Sequence, residues 1–244
     1  EIELLAKNRA RFEEIGVEVL APYAETAELC FDKFKMYQYL TAHGVPTPDT
    51  WGDYASAMAA VENGSLAFPV FVKPRTGSGS VGARRVQDAD TLKALCEADS
   101  SLIIQRLMHG DLDADVYIDT ISHKAVSAFS KRKLETKIGG ASKTISFKDE
   151  KLFDFIRRIT ELLKFNGPVD MDFFYQDGTY YLSEVNPRFG GAYLHAYGAG
   201  VDFIKLIKNN LNGMENAPAF GNYENDVVMM MYDSVVITKI DGAE

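Results

Sequence analysis

Apolar residues recur at helical spacing most regularly over 151–165, where Leu152, Phe155, Ile156, Ile159, Leu162 and Leu163 form one stripe. Weaker three-to-four spacing predicts helices over 4–15 (stopped by Gly16), 31–44 (stopped by Gly44), 53–62 (ending at Asn63-Gly64), 89–98 and 201–211. Short runs between them read as strands over 17–20, 68–74, 83–86, 102–107 and 227–238. Two further pairs of runs, 115–121 with 124–130 and 168–175 with 179–185, read as hairpins. Val45-Pro46-Thr47-Pro48 is an extended linker, because proline disfavours helix in the residue before it. Segment 131–147 is basic, polar and glycine-containing, and reads as a mobile loop followed by a short strand. Helices and hairpins in one chain make the fold class α+β.

The second hairpin has two permitted registers. A two-residue Asp177-Gly178 turn sets Asp172 opposite Ser183, whereas a three-residue loop with Gly178 left-handed sets Asp172 opposite Leu182. A slip of one residue moves every side chain to the other face. In the three-residue register Asp172 lies diagonal to Glu184, at roughly 7–8 Å. Two carboxylates so placed can share a cation, so that register is the one adopted here.

Composition narrows the classes. The chain has 244 residues, 46% hydrophobic and 25% charged, as in ordinary globular proteins. A net charge of −9 argues against broad nucleic-acid binding. Cys30 and Cys96 are the only cysteines, too few for a disulfide framework. No apolar run reaches membrane-spanning length, and the first residues are not a signal peptide, so a cytoplasmic location is expected.

The chemistry concentrates in Tyr180-Tyr181-Leu182-Ser183-Glu184-Val185-Asn186-Pro187-Arg188-Phe189-Gly190-Gly191. Alternate side chains of a strand share a face, so Glu184 and Asn186 point together. Such hard oxygen ligands suit Mg²⁺, and Arg188 adds a planar cation that fits a phosphate. Upstream, Val70-Phe71-Val72-Lys73 ends an apolar strand in a lysine, which is costly to bury unless it meets an anion. The loop Arg75-Thr76-Gly77-Ser78-Gly79-Ser80-Val81-Gly82 follows. Its glycines let backbone amides approach an anion. It lacks both the Walker A ending and the GxGxxG spacing before a helix. The four histidines show no metal-ligand spacing; His195 reads as a core or surface residue, and Trp51 and Met229-Met230-Met231 as packing.

These pieces together resemble the ATP-grasp superfamily, and within it the short, single-copy relatives of the carbamoyl-phosphate synthase large subunit. The resemblance runs from about residue 25 to the C-terminus through Phe31-Asp32-Lys33, Val72-Lys73-Pro74 with the glycine loop, Ile103-Ile104-Gln105-Arg106-Leu107-Met108, Asp172, and Glu184 to Arg188. It implies that Lys33 and Lys73 contact ATP phosphates, with backbone amides of Gly77, Ser78, Gly79 and Ser80 capping the β and γ phosphates. It further implies that the hinge Arg106, Leu107 and Met108 holds adenine by its main chain. Asp111 takes the ribose, Asp172, Glu184 and Asn186 hold Mg²⁺, and Arg188 grips the transferred phosphoryl group. Asp111 departs from the family's usual glutamate, and Arg106 stands where an acidic residue is common.

The implied architecture is two α+β lobes clasping ATP, over 31–107 and 108–244, with 1–30 as the tail of a preceding, incomplete α/β domain. The implied activity is a ligase that uses ATP and Mg²⁺ to phosphorylate a carboxylate, which an amine or other nucleophile then attacks. Small-molecule acid and amine substrates are the expected partners, without nucleic acid or membrane; a homo-oligomer is compatible with the sequence. The basic residues Lys131-Arg132-Lys133 and those over 137–143 could close over the acyl phosphate or bind an acidic substrate. Two alternatives are a catalytically silent ATP-binding module and a kinase-like phosphotransferase on the same scaffold.

Overall fold

The computed structural model describes residues 1–77, 81–137 and 140–238. The chain opens with two short helices, α1 (Ile2–Lys7) and α2 (Arg9–Glu13), rather than the single helix expected over 4–15. The break falls at Asn8, whose φ of −107° leaves the helical region. The strand expected over 17–20 does not form; the Arg9 guanidinium takes the carbonyls of Val19 and Ala21 instead. The helix expected over 31–44 is also divided, into α3 (Ala24–Phe31) and α4 (Lys33–Ala42).

Asp32 makes that division. It is extended, at φ −107° and ψ 98°, and its carboxylate accepts from the amides of Phe34 and Lys35. Side-chain capping satisfies amides that the first helical turn leaves unpaired. Asp53, Asp88, Asp149 and Asp202 cap α5 (Tyr54–Glu62), α6 (Ala89–Ala98), α7 (Glu150–Leu162) and α9 (Phe203–Leu211) in the same way. α8 (Tyr193–Gly198) is a short helix that the pattern did not reveal.

Strands β1 (Thr50–Trp51), β2 (Val70–Pro74), β3 (Arg84–Val86) and β4 (Leu102–Arg106) form a four-stranded antiparallel sheet in the order β1-β4-β2-β3. Its core joins Val70, Val72 and Ile104 to Ala57 and Ala60 of α5 and Leu92 of α6. The second sheet has six strands: β5 (Asp111–Ile118), β6 (Ala125–Lys137), β7 (Gly140–Phe147), β8 (Gly167–Gln176), β9 (Thr179–Asn186) and β10 (Val228–Met230). Their order is β10-β7-β6-β5-β8-β9, with every neighbouring pair antiparallel. Segment 131–147 is therefore strand on both sides of residues 138–139, not a mobile loop. The final strand, expected over 227–238, is confined to Val228–Met230.

One face of the six-stranded sheet is apolar. Leu112, Ala114, Val116, Val169, Met171 and Phe173 pack there with the α7 stripe of Leu152, Phe153, Ile156 and Ile159, all four wholly buried. Burying each such α7 side chain contributes roughly 1.5–3 kcal/mol. Met36 and Leu40 of α4 join this larger core. The linker ahead of β1 docks on β9, where Leu182 N–H donates to Pro46 O and Thr47 Oγ1 donates to Leu182 O, each at 2.9 Å. No helix among the described residues is long and apolar enough to cross a membrane.

Candidate active site

The β8–β9 hairpin turns on two residues. Asp177 (φ 52°) and Gly178 (φ 78°) are both left-handed, and Gln176 pairs with Thr179. That is the geometry of a two-residue type I′ turn. The three-residue loop adopted from the sequence is therefore wrong. The carboxylates meet by another route: the ladder pairs Phe173 with Leu182, shifts register, and then pairs Asp172 with Glu184. Ser183 is the extra residue of a β-bulge. Asp172 stands directly opposite Glu184 rather than diagonal to it.

The same register runs across four strands. Lys131, Asp113, Asp172 and Glu184 form one row, and Phe129, Asp115, Asp170 and Asn186 form the next. Residues two apart on a strand share a face, so Asp111, Lys133 and these two rows make the second face of the sheet polar. Asp172 is ion-paired with Lys133. Burial acts to lower the Lys133 pKa, but Asp172 and Asp113 prevail and push it up to about 12.

Deeper in this face lie Asp113, Asp115 and Asp170, each offering an oxygen within 4.8 Å of the others. Lys131, wholly buried, pairs with Asp115 and lies 3.2 Å from Asp113 Oδ1. That Asp113 oxygen is outside hydrogen-bond alignment, and among the described residues Asp115 Oδ1 and Asp170 Oδ1 also lack a donor. Burial, then the charges of Asp113 and Asp172, hold the Asp170 carboxyl well above its ordinary pKa. Arg188 Nη1 lies 3.5 Å from Asp170 Oδ2. Gly190 passes directly over the group: a Cβ there would stand 2.6 Å from Asp115 Oδ1 and 2.8 Å from Asp170 Oδ1. Only glycine permits that approach.

The facing wall comes from α4 and the four-stranded sheet. Asp32, besides capping α4, takes a two-point ion pair from Arg75, at 2.7 Å to each oxygen. This ties the end of β2 to the start of α4. Lys33 Nζ donates to Gly77 O at 2.5 Å and lies 3.9 Å from Glu184 Oε1. Lys73 is only 7% exposed, and no described carboxylate oxygen comes within 4.0 Å of its ammonium. Burial lowers its pKa, with the Lys33 charge acting the same way and those of Glu184 and Asp172 opposing. Lys33, Lys73, Gln105, Ser183 and Glu184 line a cleft of about 20 Å³ between the two sheets.

The structure thus brings Lys33, Lys73, Asp172 and Glu184 together, with Asn186 and Arg188 beside them. Ser78, Gly79 and Ser80 lie outside the described residues. Arg106 turns its guanidinium onto Asp49 (2.7 Å) and its amide onto Asp49 O (2.9 Å), while Met108 is buried. Asp111 opens β5 and is exposed. His195 is a core histidine, hydrogen-bonded to Thr144 Oγ1 and Val227 O and edge-on to Phe129. The sequence reading passed over Asp113, Asp115 and the division of labour between Lys131 and Lys133. The signal was present in the period-two runs Asp111-Leu112-Asp113-Ala114-Asp115, Lys131-Arg132-Lys133 and Asp170-Met171-Asp172.

The ATP-grasp domain profile matches residues 30–192. The chain belongs to the ATP-grasp family. It is similar to D-alanine–D-alanine ligase of Bacillus anthracis, 30% identical over 105 residues, covering 41% of this chain and 34% of that protein. It is also similar to the carbamoyl phosphate synthase large chain of Thermoplasma acidophilum, 24% identical over 199 residues, 75% of this chain and 19% of that one. Among solved structures, the biotin carboxylase domain of Hydrogenobacter thermophilus 2-oxoglutarate carboxylase, crystallised with MgADP and bicarbonate, superposes with a TM-score of 0.73. That match is 17% identical and covers 92% of this chain and 55% of that one. The fold is the α+β ATP-grasp fold. The chain spans about a third of the length of the first of these relatives.

Proposed function

We propose that this chain carries the ATP site of a ligase that activates a carboxylate as an acyl phosphate and passes it to an amine or another nucleophile. The observation that carries this reading is Lys73, a buried residue with no described carboxylate within 4.0 Å of its ammonium, lining the same cleft as Glu184. An ammonium buried without a counter-ion is expensive, and a polyphosphate supplies the missing charge.

In this reading Lys33 and Lys73 take phosphate oxygens, and the amides of residues 77–80 cap the β and γ phosphates. The main chain of Arg106, Leu107 and Met108 holds adenine, and Asp111 takes the ribose. Asp172, Glu184 and Asn186 would hold Mg²⁺. They fit it: all three are hard oxygen donors on one sheet face, and ammonium groups already stand beside two of them, Lys133 at Asp172 and Lys33 at Glu184. When bound, the ion neutralises charge on the phosphates. Arg188, at the mouth of the Gly190-Gly191 turn, grips the transferred phosphoryl group.

The chemistry asks little of side-chain acids and bases. The substrate carboxylate attacks the γ phosphorus and ADP leaves; the nucleophile then attacks the acyl carbon and phosphate leaves. Positioning and charge neutralisation dominate such transfers, which suits a site built of lysines, an arginine and carboxylates. The cleft of about 20 Å³ has room for about one water. The proposal divides the chain into a lobe over 31–107 and a lobe over 108–244, after a tail over 1–30. Kinship with carbamoyl-phosphate synthases, its finer form, puts bicarbonate among the acids to try.

The test is ADP and phosphate release by the full-length protein against a panel of amino acids and small acids with Mg²⁺. Release that requires both an acid and an amine supports the ligase. A stable phosphorylated product would replace it with a phosphotransferase. Tight ATP binding without turnover on any acid would replace it with a binding module.

A further inference from the structure

Of the basic residues Lys131-Arg132-Lys133, one alone is partly exposed on the polar face and paired with Asp172. Arg132 points to the other side of the sheet and lies over the Phe147 ring at 4.6 Å. Lys131 is wholly buried and committed to Asp113 and Asp115. The Lys133 side chain is 18% exposed, and its ammonium rests on Asp172, itself 26% exposed. On the neighbouring carboxylate the corresponding cation, Lys33, stands off at 3.9 Å, beyond hydrogen-bond range. Lys133 is therefore the close counter-ion of the Asp172–Glu184 pair.

We infer that Lys133 occupies the divalent-cation position on Asp172 in the unloaded protein and moves onto the transferred phosphoryl group when metal and nucleotide arrive. This rests on the ligase reading of the same cleft. An ammonium and a divalent ion compete for one carboxylate because each repels the other at contact distance. The metal must displace Lys133, and the nearest new anion is the phosphate brought by that metal. The strand is irregular next to Lys133. The β6–β7 ladder breaks register between Lys133 and Glu135 and again between Glu135 and Thr136. Irregularities of this kind re-aim side chains next to functional sites. Lys33 and Lys73 come from α4 and the four-stranded sheet, whereas Lys133 comes from the six-stranded sheet, so the three would meet a phosphoryl group from opposite walls.

The test uses Lys133→Met in the full chain, with Lys133→Arg beside it, and Mn²⁺ and the non-hydrolysable analogue AMP-PNP as probes. In Lys133→Met, Mn²⁺ alone should bind at least three-fold more tightly than in wild type, by electron paramagnetic resonance. At saturating Mn²⁺, AMP-PNP should bind about ten-fold more weakly, by calorimetry. A merely structural lysine would weaken both affinities or neither; opposite shifts are the signature. Lys133→Arg should restore both values, and it remains decisive if the methionine variant fails to fold: an arginine variant with AMP-PNP affinity and Mn²⁺ competition both abolished overturns the inference. Unchanged or weaker Mn²⁺ binding in a folded Lys133→Met protein overturns it as well, while leaving the ligase reading intact. A wild-type protein that binds no Mn²⁺·AMP-PNP overturns the ligase reading and this inference with it.

Discussion

Lys73→Met should make the protein more stable and a worse nucleotide binder. Methionine matches the length of the lysine stem and suits a position 7% exposed. Removing the ammonium removes its desolvation penalty and its repulsion from Lys33, and forfeits its longer-range attraction to Glu184 and Asp172. Exchanging buried charge for apolar volume commonly gains about 1–3 kcal/mol. For a protein of this size each kcal/mol raises Tm by roughly 2–4 °C, so melting should move up by roughly 2–12 °C. Losing a charge-assisted bond to phosphate costs roughly 1.5–3 kcal/mol of binding, which is about 10- to 150-fold in affinity for AMP-PNP. The pH dependence adds an independent check. The folded pKa of Lys73 lies below the unfolded value of 10.5. Between those two values the unfolded chain holds a proton that the folded chain has released, so wild-type stability rises with pH there. Methionine has no such slope. The stabilisation should be full at neutral pH and shrink towards pH 10.5. Melting by circular dichroism across pH, with calorimetry for the nucleotide, measures all of this. A variant that melts lower than wild type at pH 7, or whose advantage grows with pH, refutes the assignment of Lys73 as a buried, uncompensated cation.

Glu184→Gln should abolish Mg²⁺-dependent ADP formation and leave Tm within about 2 °C, because the residue is only half-buried and isosteric; normal turnover would remove it from the metal set. Lys131→Met should destabilise by roughly 3–5 kcal/mol, because it leaves Asp113 and Asp115 buried without their cation. That loss should shrink in acid. Burial holds the Asp115 pKa up to about 6, above the unfolded 3.8, so its contribution favours folding at low pH and is lost as pH rises through that window. A Lys131→Met loss that is the same at pH 4 and pH 8 would show that the carboxylates are compensated elsewhere.

The sequence made the fold class readable because its strongest signals are local. The α7 stripe, the hairpin runs and the glycines after helices each specify structure within a few residues. What stayed hidden depends on pairing. No turn rule announces that Ser183 is a bulge; with Asp177-Gly178 alone, Asp172 falls opposite Ser183, and the bulge restores Glu184 to its face. The boundary between α3 and α4 was missed because the apolar spacing runs through it, whereas Asp32 breaks it by turning its carboxylate back onto two amides. The segment 131–147 read as a loop because its strands are charged. Charged strands look solvated until partner strands of opposite charge appear, and those partners, Asp113, Asp115 and Asp172, lie elsewhere in the chain.

The polar face of the six-stranded sheet costs stability, and its arrangement says where that cost is tolerated. Lys131 and the aspartates around it are fixed between strands whose other face carries the largest core of the molecule. The side chains assigned to the reaction lie further out on the same face: Asp172, Glu184 and Lys133 are each partly exposed and each share charge with another. A wholly buried lysine inside, paired with two aspartates, and a partly exposed one outside, paired with one, suit two different tasks. In the proposed reading the inner one stays with Asp113 and Asp115, and the outer one leaves Asp172 for a phosphoryl group.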